Sequence, residues 1–248
     1  STNGGVTFPQ AFICAQTGSE DKEWLTTDLS PTSPFLNNLY ISWTRFSAVP
    51  GIKLVKSTNG GVNWSTPVAV SDQTGGLQGS NLCTSPGATF GTDNIIASGS
   101  FPDGLPNDVN TFPTMACDLS SGPRNGWLYV AFADNRNGDC DVFLTKSTNA
   151  GVNWSVPVRV NNDAINNGKI QYWPCIAVNE SGNIAIIFMD TRNTGSNTII
   201  EAFVARSLDG GVTFTNELVS GEPSPTAIPG SNVRFGDYID IDYVGQSI

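Results

Sequence analysis

The phrase STNGGVNWS, residues 57–65, recurs with small changes at three other places in the chain. The other copies are STNGGVTFP from residue 1, STNAGVNWS from residue 147 and SLDGGVTFT from residue 207. Ser, Asn and Asp side chains bind nearby backbone N–H groups, and Asn-Gly or Asp-Gly tolerates the positive φ of a tight turn. The phrase therefore predicts a hairpin turn whose closing Trp or Phe is buried in the core. The residues with these roles in the last three copies are Ser57, Asn59, Gly61, Trp64, Ser147, Asn149, Gly151, Trp154, Ser207, Asp209, Gly211 and Phe214.

This repeated phrase resembles the Asp-box, or BNR, repeat of sialidase-like β-propellers. The family pattern is Ser or Thr, any residue, Asp, any residue, Gly, two further residues, and Trp or Phe. Three of the four copies carry Asn in place of Asp, and Asn keeps the acceptor oxygen that the turn needs. The resemblance implies that each box joins the third and fourth strands of a four-stranded blade.

Alternating apolar runs stand before each of the last three copies, and they predict half-buried strands. Before the third copy, for example, the runs are TMACD, LYVAF and DVFLTKS. We therefore predict an all-β fold, a single β-propeller domain over residues 1–248. Its four-stranded antiparallel blades would form a partial or irregular ring of about four to six blades. The predicted units are blades at 22–71, 112–161 and 172–220, a degenerate blade at 79–107, and partial blades at 1–15 and 236–248.

The two ends of the chain supply only parts of blades. Residues 1–15 contain a box and a final strand, and residues 236–248 contain a first strand. Propellers use complete blades, which leave only short protected edges. We expect the chain to be part of a longer propeller, and the alternative is a complete ring of irregular blades.

Composition restricts the partners and the chemistry. The chain has 22 acidic and 12 basic side chains and a net charge of −10, which repels phosphate backbones and anionic lipid surfaces. We therefore expect no nucleic-acid partner, and because no apolar stretch reaches the roughly 20 residues of a membrane span, no membrane insertion. The lack of histidine excludes a Cys/His zinc site and a Ser-His-Asp triad. Sequence leaves open the pairing of the five cysteines, Cys14, Cys83, Cys117, Cys140 and Cys175.

Candidate ligand-binding residues follow the second strands and precede the first strands. The resemblance implies that ligands bind on the face opposite the boxes. Asp-x-Arg recurs at the same phase in FADNR and FMDTR, and such arginines can clamp a carboxylate while the aspartates bind sugar hydroxyls. The alternative is that Asp and Arg bridge adjacent loops within each blade. Aromatic residues on this face would stack on sugars, and the full set of candidates is Arg45, Asp134, Arg136, Asp190, Arg192, Tyr172, Trp173, Asp237 and Tyr238.

Catalytic residues are not identified by the sequence. Sialidases, by resemblance, need three convergent arginines, a tyrosine nucleophile with a glutamate base, and an aspartate acid, and the Arg-Ile-Pro signature of such domains is absent. Tyr238 with Glu201 as its base is the one candidate pair, and we expect it not to be catalytic.

A possible metal loop occurs in DNRNGDCD. Its oxygen ligands resemble a calcium loop only loosely, because no bidentate Glu closes it. We interpret it as a solvated turn and expect no cofactor, with calcium as the alternative. The four residues are Asp134, Asn137, Asp139 and Asp141.

These observations favour a non-catalytic, sialidase-like propeller module of an extracellular or cell-surface protein from a bacterium. Such a module would bind glycans or protein partners, or serve a structural role. The alternative is an exo-sialidase-type glycoside hydrolase. A third possibility is assembly, because the open blade edges could pair with another chain or with a missing segment.

Overall fold

In the described part of the computed structural model, all regular elements are β-strands. The structure describes residues 20–45, 51–70, 113–134, 136–225 and 239–245. The prediction of an all-β fold is confirmed. The described residues contain no helix that is long and apolar enough to cross a membrane.

The described strands form three sheets. Within each sheet the strands lie in chain order and neighbours are antiparallel. The first sheet contains β1 (Glu20–Thr27), β2 (Leu39–Arg45), β3 (Gly51–Ser57) and β4 (Val68–Ala69). The second contains β5 (Thr114–Cys117), β6 (Leu128–Asp134), β7 (Asp141–Ser147) and β8 (Val158–Arg159). The third contains β9 (Gln171–Val178), β10 (Ile184–Asp190), β11 (Ile199–Ser207) and β12 (Thr215–Leu218), with β13 (Ser224–Pro225) also paired to β11.

The central hairpins of the three sheets have the same register. We call the end of each sheet that carries the repeated phrase the turn end, and the opposite end the rim end. The pairs at the turn end are Leu39 with Ser57, Leu128 with Ser147 and Ile184 with Ser207. The pairs at the rim end are Arg45 with Gly51, Asp134 with Asp141 and Asp190 with Glu201. Residues in the three sheets can therefore be compared position by position.

The sheets pack face to face in the order in which they occur in the chain. Successive side chains of a strand point to opposite faces, so each sheet can bury one face on each neighbour. The cluster between the first and second sheets includes Tyr40, Leu54, Val130, Phe132 and Phe143. The cluster between the second and third sheets includes Tyr129, Leu144, Ile186, Phe188 and Phe203. On the far face of the third sheet, Ala185, Val204 and Tyr243 form a smaller cluster with residues of the segment 239–245.

The first and second sheets are in direct contact. Besides the shared apolar cluster, the side-chain amide of Asn125 donates to Ser30 Oγ at 2.8 Å, and Lys56 Nζ donates to the Ala150 carbonyl at 3.4 Å. The degenerate blade predicted at 79–107 lies outside the described residues. The degenerate blade therefore stays a prediction.

The repeated turns share one set of hydrogen bonds. In the second sheet, Ser147 Oγ accepts the N–H of Gly151 at 2.9 Å and donates to Asn149 Oδ1 at 3.0 Å. Asn149 Oδ1 also accepts the N–H of Asn153 at 2.9 Å. The turns that begin at Ser57 and Ser207 repeat these bonds. The backbone of each turn is therefore held by two side chains of the turn itself, without contacts from other sheets.

The aromatic residue that closes each turn is less buried than we expected. Trp64, Trp154 and Phe214 occupy equivalent positions, but all three are half-buried. Trp154 packs on the edge of the cluster between the first two sheets, and Phe214 on the cluster between the second and third. The rings therefore cover the edges of the core.

The turns of the second and third sheets are also bound by the sheet before them. Lys56, next to the first serine, donates to the Ala150 carbonyl in the turn of the second sheet. Lys146 occupies the same position in the second sheet, and its Nζ donates to the Gly210 carbonyl at 2.7 Å. These lysines tie consecutive turns together.

Replacing Ser147 by alanine is expected to lower the free energy of unfolding by about 1–3 kcal/mol, because the buried N–H of Gly151 loses its acceptor. Urea denaturation measures this change. The matched control is Val152→Ala in the same turn, where the side chain is 59% exposed and the expected change is within about 0.5 kcal/mol. Equal effects of the two substitutions would contradict this role of the serine.

Candidate functional site

The rim ends of the second and third sheets each carry a buried aspartate. Asp134 and Asp190 are both 0% exposed. Each accepts the backbone N–H two residues further on, from Arg136 at 2.7 Å and from Arg192 at 2.6 Å. The aspartate therefore forms the turn that leaves the strand, which explains its recurrence at this point of the sequence.

The two Asp-x-Arg motifs form ion pairs within their own sheets. Arg136 Nη2 lies 2.7 Å from Asp134 Oδ2, and Arg192 Nε lies 2.6 Å from Asp190 Oδ2. Each guanidinium also lies over a phenylalanine of the third strand, with centroid distances of 4.7 Å to Phe143 and 4.4 Å to Phe203. This geometry agrees with the interpretation in which Asp and Arg brace each blade, because both guanidinium groups are already neutralised.

A second ion pair lies beside the first in the second sheet. Arg159 Nη2 lies 2.6 Å from Asp141 Oδ1 and 2.9 Å from Asp163 Oδ1. The Asn161 amide donates to Asp141 Oδ1 at 2.7 Å and to Gln171 Oε1 at 2.8 Å. Asp141 and Asn161, 0% and 3% exposed, thus leave no oxygen facing solvent here.

These side chains continue into the third sheet. The Gln171 amide donates to Asp190 Oδ1 at 3.1 Å, and Arg192 Nη1 donates to Asn162 Oδ1 at 2.6 Å. Arg192 Nη2 also donates to Asn216 Oδ1 at 3.1 Å. We call this continuous set the rim network; its members are Asp141, Arg159, Asn161, Asn162, Asp163, Gln171, Asp190, Arg192 and Asn216. It connects two sheets through polar groups that satisfy one another.

Burial changes the protonation equilibria of these groups. It raises the pKa of Asp190, and the neighbouring Arg192 opposes that rise. Asp139, at the edge of the same region, also has a raised pKa because of burial, and the N–H of Gly168 opposes it.

The aromatic residues expected to stack on sugars are buried. Tyr172 is 2% exposed and Trp173 is 6% exposed, and both belong to a cluster with Ala133 and Ile200. Burial also raises the pKa of the Tyr172 hydroxyl. Neither ring presents a face to solvent, so the expected stacking surface is wrong for these two residues. The reason is that side chains of other strands, among them Ala133 of β6 and Ile200 of β11, pack in the same cluster.

The oxygens of the possible calcium loop point to different partners. Asn137 donates to Asp141 Oδ2 at 2.7 Å, Asp134 binds Arg136, and Asp139 accepts the N–H groups of residues 166 and 168. In the described part of the chain, no three acidic or sulfur-bearing side chains are grouped as metal ligands. Calcium binding stays a prediction.

The remaining catalytic and rim candidates are only partly described. Glu201 is 8% exposed and accepts a hydrogen bond from Asn193 at 2.9 Å. Asp237 and Tyr238 lie outside the described residues. The pairing of Tyr238 with Glu201 therefore stays a prediction.

The rim end of the first sheet has a different composition. Arg45 occupies the position of Asp134 and Asp190, and its Nε donates to Glu20 Oε1 at 2.8 Å. Lys53 is 7% exposed, and its pKa is lowered by burial and then by the charge of Arg45. Sequence reasoning missed Lys53 and Glu20. Alignment of the third strands shows the signal, because Lys53 stands where the other two sheets have phenylalanine.

Comparison with known proteins supports the fold at low identity. The chain matches no protein-family model and no curated protein. Sixty solved chains match it. An α-L-arabinofuranosidase from Fusarium graminearum is 12% identical over 83% of this chain and 52% of its own, with a TM-score of 0.52. A Hadza microbial sialidase is 14% identical over 79% of this chain and 36% of its own, with a TM-score of 0.49. An intramolecular trans-sialidase from Ruminococcus gnavus is 13% identical over 81% of this chain and 34% of its own, with a TM-score of 0.43.

The likeness to the arabinofuranosidase shows a shared all-β fold and does not carry over any residue. The chain spans about half of that enzyme's length and about a third of the length of the two sialidases. The site must therefore be interpreted from its own side chains.

Removing the guanidinium of Arg192 is expected to destabilise the protein by about 3–5 kcal/mol at neutral pH, because Asp190 is left buried and unpaired. The variant also loses the charge that opposes the raised pKa of Asp190. An aspartate whose pKa is raised on folding has its full destabilising effect when the pH is above the folded-state pKa. When the pH is below 3.8, the ordinary pKa of aspartate, it has no such effect. The penalty of Arg192→Ala should therefore shrink as the pH falls through this interval, as urea denaturation at several pH values measures.

Arg206→Ala is the control, because the half-buried Arg206 has a side chain that is 38% exposed and lies 3.6 Å from an exposed Glu217. Its effect should be within about 0.5 kcal/mol and nearly independent of pH. A penalty of Arg192→Ala that stayed constant on acidification would contradict the assignment to Asp190.

Proposed function

We propose that the chain is part of a sialidase-like β-propeller with Asp-box turns, and that it binds carbohydrate without cleaving it. The observation that carries the proposal is that the acidic groups of the rim network are closed to solvent and bound to their own partners. The fold itself is compatible with several activities.

The propeller architecture is supported by the order of packing. The first and second sheets each bury one face on the sheet that follows in the chain, and the segment 239–245 covers the far face of the third sheet. Asn179 Nδ2 donates to the Gly245 carbonyl at 2.6 Å, and Gly245 N–H donates to Glu180. This segment has the position of the first strand of another blade. We propose a ring of about four to six blades, in which a further segment or another chain completes that blade.

The Asp-box assignment is supported by the bonds of the turns. The hydroxyl of the first residue binds the N–H of the fifth, and the amide or carboxylate of the third binds the N–H of the seventh. The pattern requires an acceptor at the third position, and Asn149 and Asp209 both provide one. The recurrent phrase is thereby explained as a turn and not as a ligand site.

The absence of cleavage is supported by the state of the carboxyl groups. A glycoside hydrolase needs one carboxyl group to protonate the leaving oxygen and a second to act as nucleophile or base. Asp190 is 0% exposed and paired with Arg192, and Glu201 is 8% exposed and bound to Asn193. Asp190 cannot reach a glycosidic oxygen unless the rim network opens, and Glu201 cannot unless it leaves Asn193.

The carbohydrate assignment and the location follow from indirect support. The matched structure is named an α-L-arabinofuranosidase, and we extend only the class of ligand, a carbohydrate, to this chain. Cys140 is in a disulfide, which favours an oxidising compartment outside the cytoplasm, although Cys117 and Cys175 are free buried thiols. We propose an extracellular or cell-surface location.

Binding without turnover is the expected result when the chain is tested on a glycan array and with fluorogenic substrates. Fluorogenic sialosides and arabinofuranosides should release no product between about pH 4 and 8. The array should retain the protein on at least one class of glycan. Turnover that is abolished by Arg136→Ala or Arg192→Ala, in protein that remains folded, would overturn the proposal in favour of a glycoside hydrolase.

A further inference from the structure

Two connections of each sheet lie at the turn end. One is the repeated turn between the third and fourth strands, and the other joins the first strand to the second. In the second kind of connection, Asp28, Asp118 and Asn179 are equivalent, because each accepts the N–H of the residue two further on. The three sheets can therefore be compared position by position at this end as well.

The residue that follows this acceptor differs between the sheets. It is Leu29 in the first sheet and Leu119 in the second, and their side chains are 63% and 44% exposed. The third sheet has Glu180 at this position, and its carboxylate accepts the N–H of Gly245. Exposed leucines thus occupy two sheets at a position where the third sheet carries a negative charge.

The repeated turns differ between the sheets in the same direction. Asn59 and Asn149 hold the turns of the first and second sheets, and Asp209 holds the turn of the third through equivalent hydrogen bonds. An exposed aspartate is ionised at neutral pH, whereas an asparagine is neutral at every pH. The first and second sheets therefore keep the geometry of the turn without its charge.

These two sheets also expose other aliphatic side chains at the turn end. Val62 and Val152, at the sixth position of their turns, are 48% and 59% exposed, and Leu36 is 41% exposed. Contiguous apolar groups on a protein surface mark sites of interaction. We call the set the apolar face; its members are Leu29, Leu36, Val62, Leu119 and Val152.

The charged residues near the apolar face already have partners or are closed to solvent. Asp28 and Asp118 are 0% exposed. Lys56 and Lys146 each donate to a carbonyl of the following turn. Arg124 Nη2 donates at 2.9 Å to a carbonyl between the first two strands of the third sheet. The four connections that form the face, all of them described, contain no exposed carboxylate.

We propose that the apolar face is the contact between two copies of this chain, related by a twofold axis. In a twofold contact the same surface meets itself, so an acid on that surface faces the acids of the other copy. A different protein can match an acid with a lysine or arginine, and such a contact does not require neutral residues. Neutral residues at both variable positions, in the same two sheets, therefore favour a second copy as the occupant.

The distribution of charge also restricts where two copies can meet. Each copy carries a net charge of −10, so the copies repel one another over most of their surfaces. The apolar face is the part of the turn end where this repulsion is weakest, and burying it removes apolar groups from water. The third sheet, with Glu180 and Asp209, lies beside the contact. This pairing does not depend on carbohydrate binding, and it does not involve the open edges at which the last blade is completed.

The test is sedimentation equilibrium of the full chain over a range of concentrations. The unaltered protein should show a reversible equilibrium between one and two copies. Val152→Glu should raise the dissociation constant at least about tenfold, because it places a carboxylate on each side of the contact. The matched control is Ile165→Glu, in a connection at the rim end, where the side chain is 61% exposed and the dissociation constant should not change.

A second variant separates the effect of charge from the loss of an apolar contact. Asn59→Asp combined with Asn149→Asp adds two charges to the turns and keeps their hydrogen bonds, as Asp209 does in the third sheet. It should fold with an unchanged circular dichroism spectrum and also raise the dissociation constant at least about tenfold. Full-strength association of this variant would overturn the argument from charge.

Each of the other outcomes is decisive as well. A mass of one copy at the highest soluble concentration would overturn the proposal, and so would growth beyond two copies, because a twofold contact closes at two. A dimer that Val152→Glu leaves intact would have its contact elsewhere, for example at the open blade edges. Equal weakening by Val152→Glu and Ile165→Glu would indicate unspecific association and would also overturn the assignment to the apolar face.

Discussion

The hydrogen bond from the glycine N–H to the serine hydroxyl in each repeated turn is the constraint on which the rest of the structure depends. It closes the turn between the third and fourth strands and fixes the positive φ of residues such as Gly151. The same turn then presents a carbonyl to the lysine of the preceding sheet, as Gly210 does to Lys146. One local bond thereby sets both the shape of a sheet and its alignment with its neighbour. Stacking of the apolar faces supplies the larger stabilisation once this alignment exists.

At the rim end, the three sheets are of two kinds, which differ in the charges that they carry. Burying an ionised carboxylate is costly unless it is paired and hydrogen-bonded, and Asp190 meets this condition through Arg192 and Gln171. The second and third sheets therefore use these charges internally. In the first sheet a cation, Arg45, stands at the position of Asp134 and Asp190 and is paired with Glu20. A repeated scaffold has thus kept its backbone while one repeat acquired a different surface chemistry.

The fold was accessible to sequence reasoning because the repeat fixes both the turns and the strand order, and the predicted all-β fold was confirmed. The site was not accessible to sequence reasoning, because the periodicity of the sequence does not show whether Asp134 and Arg136 bind each other or a ligand. Tyr172 and Trp173 were misjudged since their burial depends on side chains of other strands, such as Ala133 and Ile200. Lys53, in contrast, was visible as the one charged residue at a position occupied elsewhere by phenylalanine.

The use of asparagine in these turns has a consequence for the chemical ageing of the protein. Asn59 precedes Gly60, and Asn-Gly is the dipeptide in which the side-chain amide nitrogen of asparagine is most readily lost as ammonia. Direct conversion to aspartate would leave the turn intact, since Asp209 makes the same bond to the backbone two residues beyond Gly211. The β-linked isomer would lengthen the main chain and break the bond from Gly61 to Ser57. In the second sheet Ala150 tolerates a φ of 57°, and its methyl group hinders that reaction at Asn149.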